Sequence, residues 1–137
     1  MAVFISFPVA DVERSAAFYS ALGWRLDEQH STEGGVCFEI DEHVSIMALS
    51  RELYASVGGT EDVVGAPGTP SPVTVSFALA SQDAVDQLCV DAVAAGGQAG
   101  AIDDYGFMYQ REFDDPDGYH YSPFWQRPEG AEPADPA

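Results

Sequence analysis

The chain has 137 residues, of which 46% are hydrophobic and 12% aromatic. This length and apolar content suit one compact domain and argue against intrinsic disorder, despite a formal net charge of -18. The five basic residues are all arginines, against 23 acids, and they form no basic stripe. Nucleic acid is therefore excluded as a partner, because binding it depends on neutralising phosphates. The acidity suits either a solvated surface or the attraction of a cationic ligand.

The sequence also predicts the compartment. No apolar run approaches the roughly 20 residues that a membrane-spanning helix needs, and Met1–Pro8 has neither a basic segment nor a cleavage site. We therefore predict a soluble, cytoplasmic protein with no membrane partner. Cys37 and Cys89 are too few for a disulfide framework and are expected to be buried free thiols.

The first part of the chain is typical of a strand, an amphipathic helix and three further strands. Asp11 can cap a helix over Val12–Leu22, whose apolar residues share one face and which ends at Gly23. Strands are predicted at Val3–Phe7, Trp24–Glu28, Val36–Ile40 and Val44–Leu49. These elements form module one, residues 3–49.

Residues 50–72 are rich in Gly, Pro, Thr and acidic residues, which is typical of a connection. One helical turn is expected at Glu52–Val57. A connection of this length is uncommon inside a domain. Two interpretations stay open, a mobile lid over a site and a flexible crossover.

Module two, residues 73–126, repeats the plan. The predicted elements are a strand at Val73–Leu79, a helix over Ser81–Ala95 that ends at Gly96-Gly97, and strands at Gln98–Ile102, Phe107–Phe113 and Tyr119–Trp125. The last two strands are joined by Asp114-Asp-Pro-Asp-Gly118, a tight-turn sequence. We predict a single domain over residues 1–126 and a flexible acidic tail over residues 127–137.

Two motifs carry a resemblance to a known superfamily. Val9–Tyr19 followed by Leu22-Gly-Trp24 resembles the first-helix signature of the vicinal-oxygen-chelate (glyoxalase/bleomycin-resistance/dioxygenase) superfamily. Asp115-Pro-Asp-Gly118 before an aromatic strand resembles its last-hairpin signature. Phe4–Val9 and Tyr105–Tyr109 are most similar to a branch labelled predicted lactoylglutathione lyases or extradiol-dioxygenase-like proteins.

The resemblance implies an α+β fold in which two βαβββ modules form a curved, half-open mixed sheet with flanking helices, whose concave cup holds the ligand. Metal-using members place one ligand on each of four strands, at positions that hold His, Gln or Glu. Here those positions hold Phe4, Met47, Thr74 and Ser122. A phenyl ring has no lone pair, and neutral hydroxyls and a thioether are weak ligands for Zn, Ni, Mn or Fe. We therefore predict no metal at these positions and no cofactor.

Since side chains alternate along a strand, the resemblance also places neighbours of these positions in the cup. The predicted ligand cup consists of Phe4, Ser6, Met47, Thr74, Ser76, His120, Ser122 and Phe124. His120 is its one titratable group and the candidate catalytic acid/base. The alternative is a hydrogen-bonded structural histidine.

The strand at 107–113 places Tyr109, Arg111 and Phe113 on one face. If that face lines the cup, Tyr109 and Arg111 contact the ligand, and Arg111 can grip a carboxylate or phosphate through its two-pronged donor geometry. Otherwise Arg111 is a surface ion-pair partner. The sequence leaves both possibilities open.

These residues predict a metal-free cup that binds or sequesters a small organic molecule. A homodimer is the expected assembly, since related proteins often pair. The alternative is an enzyme of the lactoylglutathione lyase or dioxygenase type. Such an enzyme would rely on His120 or on a metal bound elsewhere, for example near Glu39, Asp41 and His43.

Overall fold

The computed structural model describes residues 1–62 and 65–129. Within this part of the chain, module one runs through β1 (Val3–Val9), α1 (Val12–Ala21), β2 (Arg25–Leu26), a 3-10 helix (Glu28–His30), β3 (Gly35–Asp41) and β4 (Val44–Ser50). The short helix α2 (Arg51–Ser56) follows. Module two runs through β5 (Thr74–Ala78), α3 (Gln82–Ala94), β6 (Gln98–Asp104), β7 (Met108–Asp114) and β8 (His120–Gln126). The predicted order of helices and strands is confirmed.

Both long helices begin at the predicted place because a short polar side chain caps each one. Asp11 Oδ1 accepts a hydrogen bond from the backbone N–H three residues on (3.1 Å), and Ser81 Oγ does the same (3.0 Å). Each helix is followed by a glycine in the left-handed region, Gly23 at φ 83° and Gly96 at φ 106°. None of the described helices is long and apolar enough to cross a membrane.

The strands of the described residues form two four-stranded mixed sheets, ordered β1-β4-β3-β2 and β5-β8-β7-β6. In each sheet the first strand of the module pairs in parallel with the last, and the other pairs are antiparallel. This repeated pairing confirms the α+β class and the two βαβββ modules. β1 and β5 each lie at the edge of their own sheet, so the two sheets are not joined by a strand ladder.

One hydrophobic core lies between the helix-bearing faces of both sheets. Tyr19 of α1 is fully buried, and its ring lies 5.8 Å from that of Phe38 in β3 and 6.0 Å from that of Tyr121 in β8. Burial of each such aromatic side chain stabilises the fold by about 1.5–3 kcal/mol. Since one helical side chain contacts both sheets, their helix-bearing faces look towards each other. The opposite faces of both sheets turn away from this core.

The β7–β8 turn joins the modules through a buried carboxylate. Asp117 is 0% exposed. It accepts hydrogen bonds from the backbone N–H of Ala10 (2.9 Å), the guanidinium of Arg14 (3.0 Å) and the hydroxyl of Ser15 (3.4 Å). A buried charge is costly unless it is paired and hydrogen-bonded. Here module two supplies the charge and module one supplies the donors.

A second carboxylate of the same turn is also buried. Asp115 accepts hydrogen bonds from the hydroxyl of Tyr19 and from the backbone N–H groups of Asp117 and Tyr119 (both 2.9 Å). Burial raises the pKa of Asp115 to about 6, although these hydrogen bonds oppose the shift. The Tyr119 hydroxyl donates to the backbone carbonyl of Pro8 (2.6 Å). The turn is therefore held to module one by side-chain and backbone groups together.

The described part of the 50–72 connection packs against this turn. The helical turn expected at Glu52–Val57 is present one residue earlier, as α2. Further on, a Cβ atom built on Gly118 would lie 2.5 Å from the carbonyl oxygen of Ala66, and one built on Gly65 would meet the Tyr119 ring. Backbone and ring thus approach closely at both glycines, which places residues 65 and 66 against the β7–β8 turn.

The folded part of the chain extends through Arg127, although the sequence-based boundary assigns that residue to the tail. Arg127 is 6% exposed. Its guanidinium pairs with Asp104 (3.1 Å), donates to the Gly106 carbonyl and lies 5.2 Å from the centre of the Trp125 ring. The remainder of the predicted tail, from residue 130 onward, lies outside the described residues.

Candidate functional site

Part of the predicted cup lies on the face of the second sheet that turns away from the core, which we call the second outer face. It consists of Thr74, Ser76, Gln110, Glu112, Asp114, His120, Ser122 and Phe124. The strand register sets Thr74 beside His120 and Ser76 beside Ser122. Thr74 and Ser76 are exposed, whereas Ser122 is buried between its neighbours. The five cup residues predicted in module two are therefore brought together on one surface.

His120 lies between two carboxylates on this face. Its Nδ1 is 2.7 Å from Asp114 Oδ1, and its Nε2 is 3.6 Å from Glu112 Oε1. The His120 side chain is 28% exposed. An imidazole with a hydrogen-bonded carboxylate on one nitrogen is fixed in orientation, and its other nitrogen is the one free for acid or base chemistry. The same contacts also describe a structural histidine.

Sequence reasoning missed Glu112 and Asp114 as members of this surface. Asp114 is the last residue of β7 and His120 the first of β8, and the two are partners across the hairpin. The turn motif Asp115-Pro-Asp-Gly118 between them was a usable signal, because residues that flank a hairpin turn face each other across the strands.

The rest of the predicted cup lies on the corresponding face of the first sheet, the first outer face. It consists of Phe4, Ser6, Cys37, Glu39, Ser45 and Met47. Ser6 is the strand partner of Met47. Phe4 is 44% exposed, and its ring lies 5.3 Å from the ring of His30 in the 3-10 helix. The hydrogen bond between His30 and Asp27 (2.7 Å) lowers the pKa of that carboxyl.

Both cysteines are free and buried, as predicted. Burial raises the pKa of the Cys37 thiol, and it raises that of Cys89 to about 11. The thiols are therefore protonated near neutral pH and poorly nucleophilic.

The two groups of cup residues do not meet within one chain. In residues 1–62 and 65–129, no hydrogen bond or aromatic ring contact joins the first outer face to the second. Each outer face turns away from the core that the two sheets share. One chain therefore presents the predicted cup as two separate halves.

Tyr109 and Arg111 lie on the other face of β7, towards helix α3. The Tyr109 hydroxyl donates to Asp86 Oδ1 (2.6 Å), and the Arg111 guanidinium pairs with the same oxygen (3.1 Å). Burial, followed by the hydrogen bond to Asp86, raises the pKa of Tyr109 to about 12. Of the two possibilities for Arg111, the ion pair is the one formed, and neither residue lies with the predicted cup.

A family model described as "Bleomycin resistance protein-like N-terminal" matches residues 2–41. The matched segment spans β1, α1, β2 and β3. A sequence comparison with curated proteins finds no match.

Solved structures match nearly the whole chain. A hypothetical protein from S. aureus is 23% identical with a TM-score of 0.74, covering 91% of this chain and 93% of its own. A glyoxalase/bleomycin resistance protein/dioxygenase family enzyme from Burkholderia phytofirmans is 20% identical with a TM-score of 0.71, covering 90% and 97%. A glyoxalase-related enzyme from Fulvimarina pelagi is 22% identical with a TM-score of 0.72, covering 98% and 95%. The chain has the glyoxalase/bleomycin-resistance fold.

The fold and the N-terminal match support the superfamily suggested by the sequence motifs. The finer resemblance to a lactoylglutathione lyase-like branch stays a prediction.

The metal that the glyoxalase/bleomycin-resistance fold implies does not fit the residues present. Of the four implied positions, Phe4 and Met47 lie on the first outer face, and Thr74 and Ser122 on the second. Their side chains offer a phenyl ring, a thioether and two hydroxyls, which do not form a ligand set for a divalent transition metal. No group of three or more His, Cys, Asp or Glu side chains in the described part of the chain is placed to hold a metal ion.

The second metal position considered from the sequence lies near Glu39, Asp41 and His43, and its carboxylates make other contacts. Glu39 pairs with Arg25 (3.7 Å), and Asp41 Oδ1 accepts a hydrogen bond from the backbone N–H of His43 (2.8 Å). These carboxylates are therefore used in a surface ion pair and a turn.

Proposed function

We propose that this chain is a glyoxalase/bleomycin-resistance-like protein that binds a small organic molecule without a metal. The observation that carries the proposal is the composition of the second outer face. Two partly exposed carboxylates, Glu112 and Asp114, lie beside hydroxyl groups and the aromatic ring of Phe124. Such a surface offers hydrogen bonds, an apolar contact and negative charge, and no metal ligand set.

The ligand class that suits this surface is an organic cation. The side chains of Glu112 and Asp114 are 24% and 37% exposed, so both carboxylates are accessible. The chain carries a net charge of -18, which attracts cations over a longer range. Phe124 adds a ring face against which a cationic group can pack.

A homodimer would complete the cup, because each chain presents only half of it on each outer face. In this arrangement the first outer face of one copy, with Phe4 and Met47, covers the second outer face of its partner. The ligand would then lie between the first outer face, where Phe4 and Met47 offer apolar contacts, and the acidic second outer face.

The first test is a thermal-shift screen of cationic and aromatic compounds, followed by calorimetric titration of the hits. We expect Glu112→Gln to weaken binding of a cationic hit about two- to fivefold, the range of a partly exposed charge pair. Glu13→Gln, which removes an exposed carboxylate from α1, is the matched control and should leave affinity unchanged. The proposal fails if no compound binds, or if both variants behave alike.

A second candidate, acid–base catalysis, rests on the 2.7 Å contact between His120 and Asp114. His120→Ala separates it from binding alone. If the wild-type protein converts a hit compound to product, and the His120→Ala variant still binds that compound but no longer converts it, His120 is catalytic. If the compound is only bound, His120→Ala changes its affinity by no more than a few fold, and the binding function stands.

Metal content tests the donor chemistry directly. We expect elemental mass spectrometry of the purified protein to show no stoichiometric transition metal. Zn, Ni, Mn, Fe and Co ions should leave the melting temperature unchanged, because the four implied positions lack ligands. If stoichiometric metal is found, or if one ion strongly stabilises the protein, the metal-free proposal is wrong and a metal-dependent lyase or dioxygenase becomes the favoured function.

A further inference from the structure

A cavity of about 450 Å³ opens between the two modules, away from the β7–β8 turn. We call it the seam pocket. Its wall consists of Ile5, Ile40, Asp41, Val44 and residues 75–80. It therefore lies between the beginning of β1 and β4 on one side and the end of β5 on the other.

The wall of the seam pocket is largely apolar. Ile5, Ile40, Phe77 and Leu79 pack against the hydrophobic core but are only partly buried. Protein cores are close-packed, and water-exposed gaps of this kind leave apolar surface uncovered. The cavity volume lies within the range of small-molecule sites, roughly 300–1,000 Å³. A ligand of matching size would cover surface that the chain's own side chains leave open.

The pocket also offers polar backbone groups. β5 is an edge strand, and the N–H of Leu79 donates to the Phe124 carbonyl of β8 (2.8 Å). In a parallel pair, alternate residues direct both backbone groups to the same neighbour. The N–H and C=O groups of Ser76 and Ala78 therefore point to the other edge of β5, which carries no strand in the described residues and borders the pocket.

Asp41 gives the pocket its electrostatic character. It is exposed, and among the described lining residues it is the only charged one. Its Oδ1 accepts the backbone N–H of His43, which fixes the side chain at the β3–β4 turn. A carboxylate with no nearby lysine or arginine in the wall favours a cation and repels an anion.

We propose that the seam pocket binds an organic cation with an apolar body. The cationic group lies near Asp41, the body covers Ile5, Ile40 and Phe77, and hydrogen-bonding groups meet the free edge of β5. This site is distinct from the second outer face, with which it shares Ser76, and it does not depend on the function proposed above.

The test compares three ligands that share one body: 4-phenylbutylamine, 4-phenylbutanol and 4-phenylbutyrate. By calorimetry, we expect the wild-type chain to bind the amine most tightly and the acid least. Asp41→Asn keeps the turn acceptor but removes the charge, so affinity for the amine should fall about two- to fivefold while that for the alcohol stays constant. Glu42→Gln removes the neighbouring exposed carboxylate, which does not line the pocket, and is the matched control.

The proposal is overturned if none of the three ligands binds, if the acid binds as well as the amine, or if the two variants affect the amine equally. Location is tested separately by amide NMR of the wild-type chain with the amine. Shifts at Val44, Phe77 and Ala78 support the seam pocket, whereas shifts centred on Gln110 and Phe124 would place the ligand on the second outer face instead.

An occluding variant completes the test. Val44→Phe places a larger side chain in the pocket and should reduce binding of the amine at least tenfold, while Glu13→Gln, which changes an exposed carboxylate of α1 outside both surfaces, should not change it. Circular dichroism checks that the variant is folded. Should it not fold, the NMR map of the wild type decides the location.

Discussion

The two modules share one plan but end their last hairpins differently. In module two, the β7–β8 turn is buried against module one, and Asp117 is 0% exposed with three donors. In module one, the β3–β4 turn is exposed, and Asp41 accepts only the N–H of His43 among the described contacts. We call these the closed and the open end of the seam. The comparison indicates that the closed end holds the modules together and leaves the open end free to bind.

The largest expected effect is at the closed end. Asp117→Ala leaves three donors of module one without their acceptor and should lower the free energy of unfolding by about 3 kcal/mol. Asp41→Ala removes a comparable turn carboxylate at the open end and should cost less than about 1 kcal/mol, because its partner can bond to water. Urea unfolding measures both. Equal losses would remove the distinction between the two ends.

The pH dependence of stability gives the next effect. The pKa of Asp115 is about 6 in the folded chain, against about 3.9 in an unfolded one. The folded state thus holds this proton more tightly. The contribution of Asp115 to the free energy of unfolding is therefore greatest below pH about 4 and is lost, about 3 kcal/mol in all, as pH rises through about 6.

Asp115→Asn removes this titration. The stability difference between wild type and variant, measured by urea unfolding at several pH values, should fall across the same interval. Other carboxyls with shifted pKa, such as those of Asp27 and Asp104, are common to both proteins and cancel in the difference. A difference that is independent of pH would contradict the assignment.

Two glycines, one in the β7–β8 turn and one in the 50–72 connection, provide a test with an expected effect of intermediate size. Gly118 and Gly68 both have positive φ, 89° and 78°. A Cβ atom on Gly118 would lie 2.5 Å from the Ala66 carbonyl oxygen, whereas one on Gly68 meets no atom within 4 Å. Gly68→Ala should therefore cost about 1 kcal/mol, the strain of a left-handed alanine, and Gly118→Ala about 2–3 kcal/mol. Similar melting temperatures for the two variants would show that the connection does not press on the closed end.

The smallest effect concerns packing. Val44→Ile adds one methyl group at the open end and should stabilise the chain by about 0.5–1 kcal/mol, since free space is available there. Ala48 lies in the same strand and is 0% exposed. Ala48→Val therefore adds volume to a filled part of the core and should lower the free energy of unfolding by about 1–3 kcal/mol through overpacking. Thermal unfolding distinguishes the signs. Loss of stability in both variants would mean that the open end is already filled.

Much of the fold could be predicted because residues that are close together in the sequence determine where its helices begin and end. Asp11 and Ser81 as caps, and Gly23 and Gly96 as stops, locate the two long helices without any tertiary information. Arg127, by contrast, is held in the fold by an ion pair with Asp104, which lies 23 residues earlier in the sequence.

The site was harder to predict because its contacts cross between elements. The alternation of side chains along a strand places Tyr109 and Arg111 on one face of β7. It does not determine which face packs against α3, because their partner Asp86 lies more than 20 residues away in the sequence. The carboxylates beside His120 follow from hairpin register and were predictable. The open end of the seam was not, because a cavity depends on what two modules fail to fill.

Trp24 lies where the modules meet. Its ring stacks on Tyr19 of its own module at 5.5 Å and meets Phe77 and Tyr121 of the other at 5.9 and 5.7 Å. Any separation of the modules would expose this indole to water and shift its emission. With Trp125 replaced by Phe, the chain would carry a single tryptophan, whose emission, excited selectively over that of the tyrosines, reports seam opening and ligand entry beside Phe77 without an attached label.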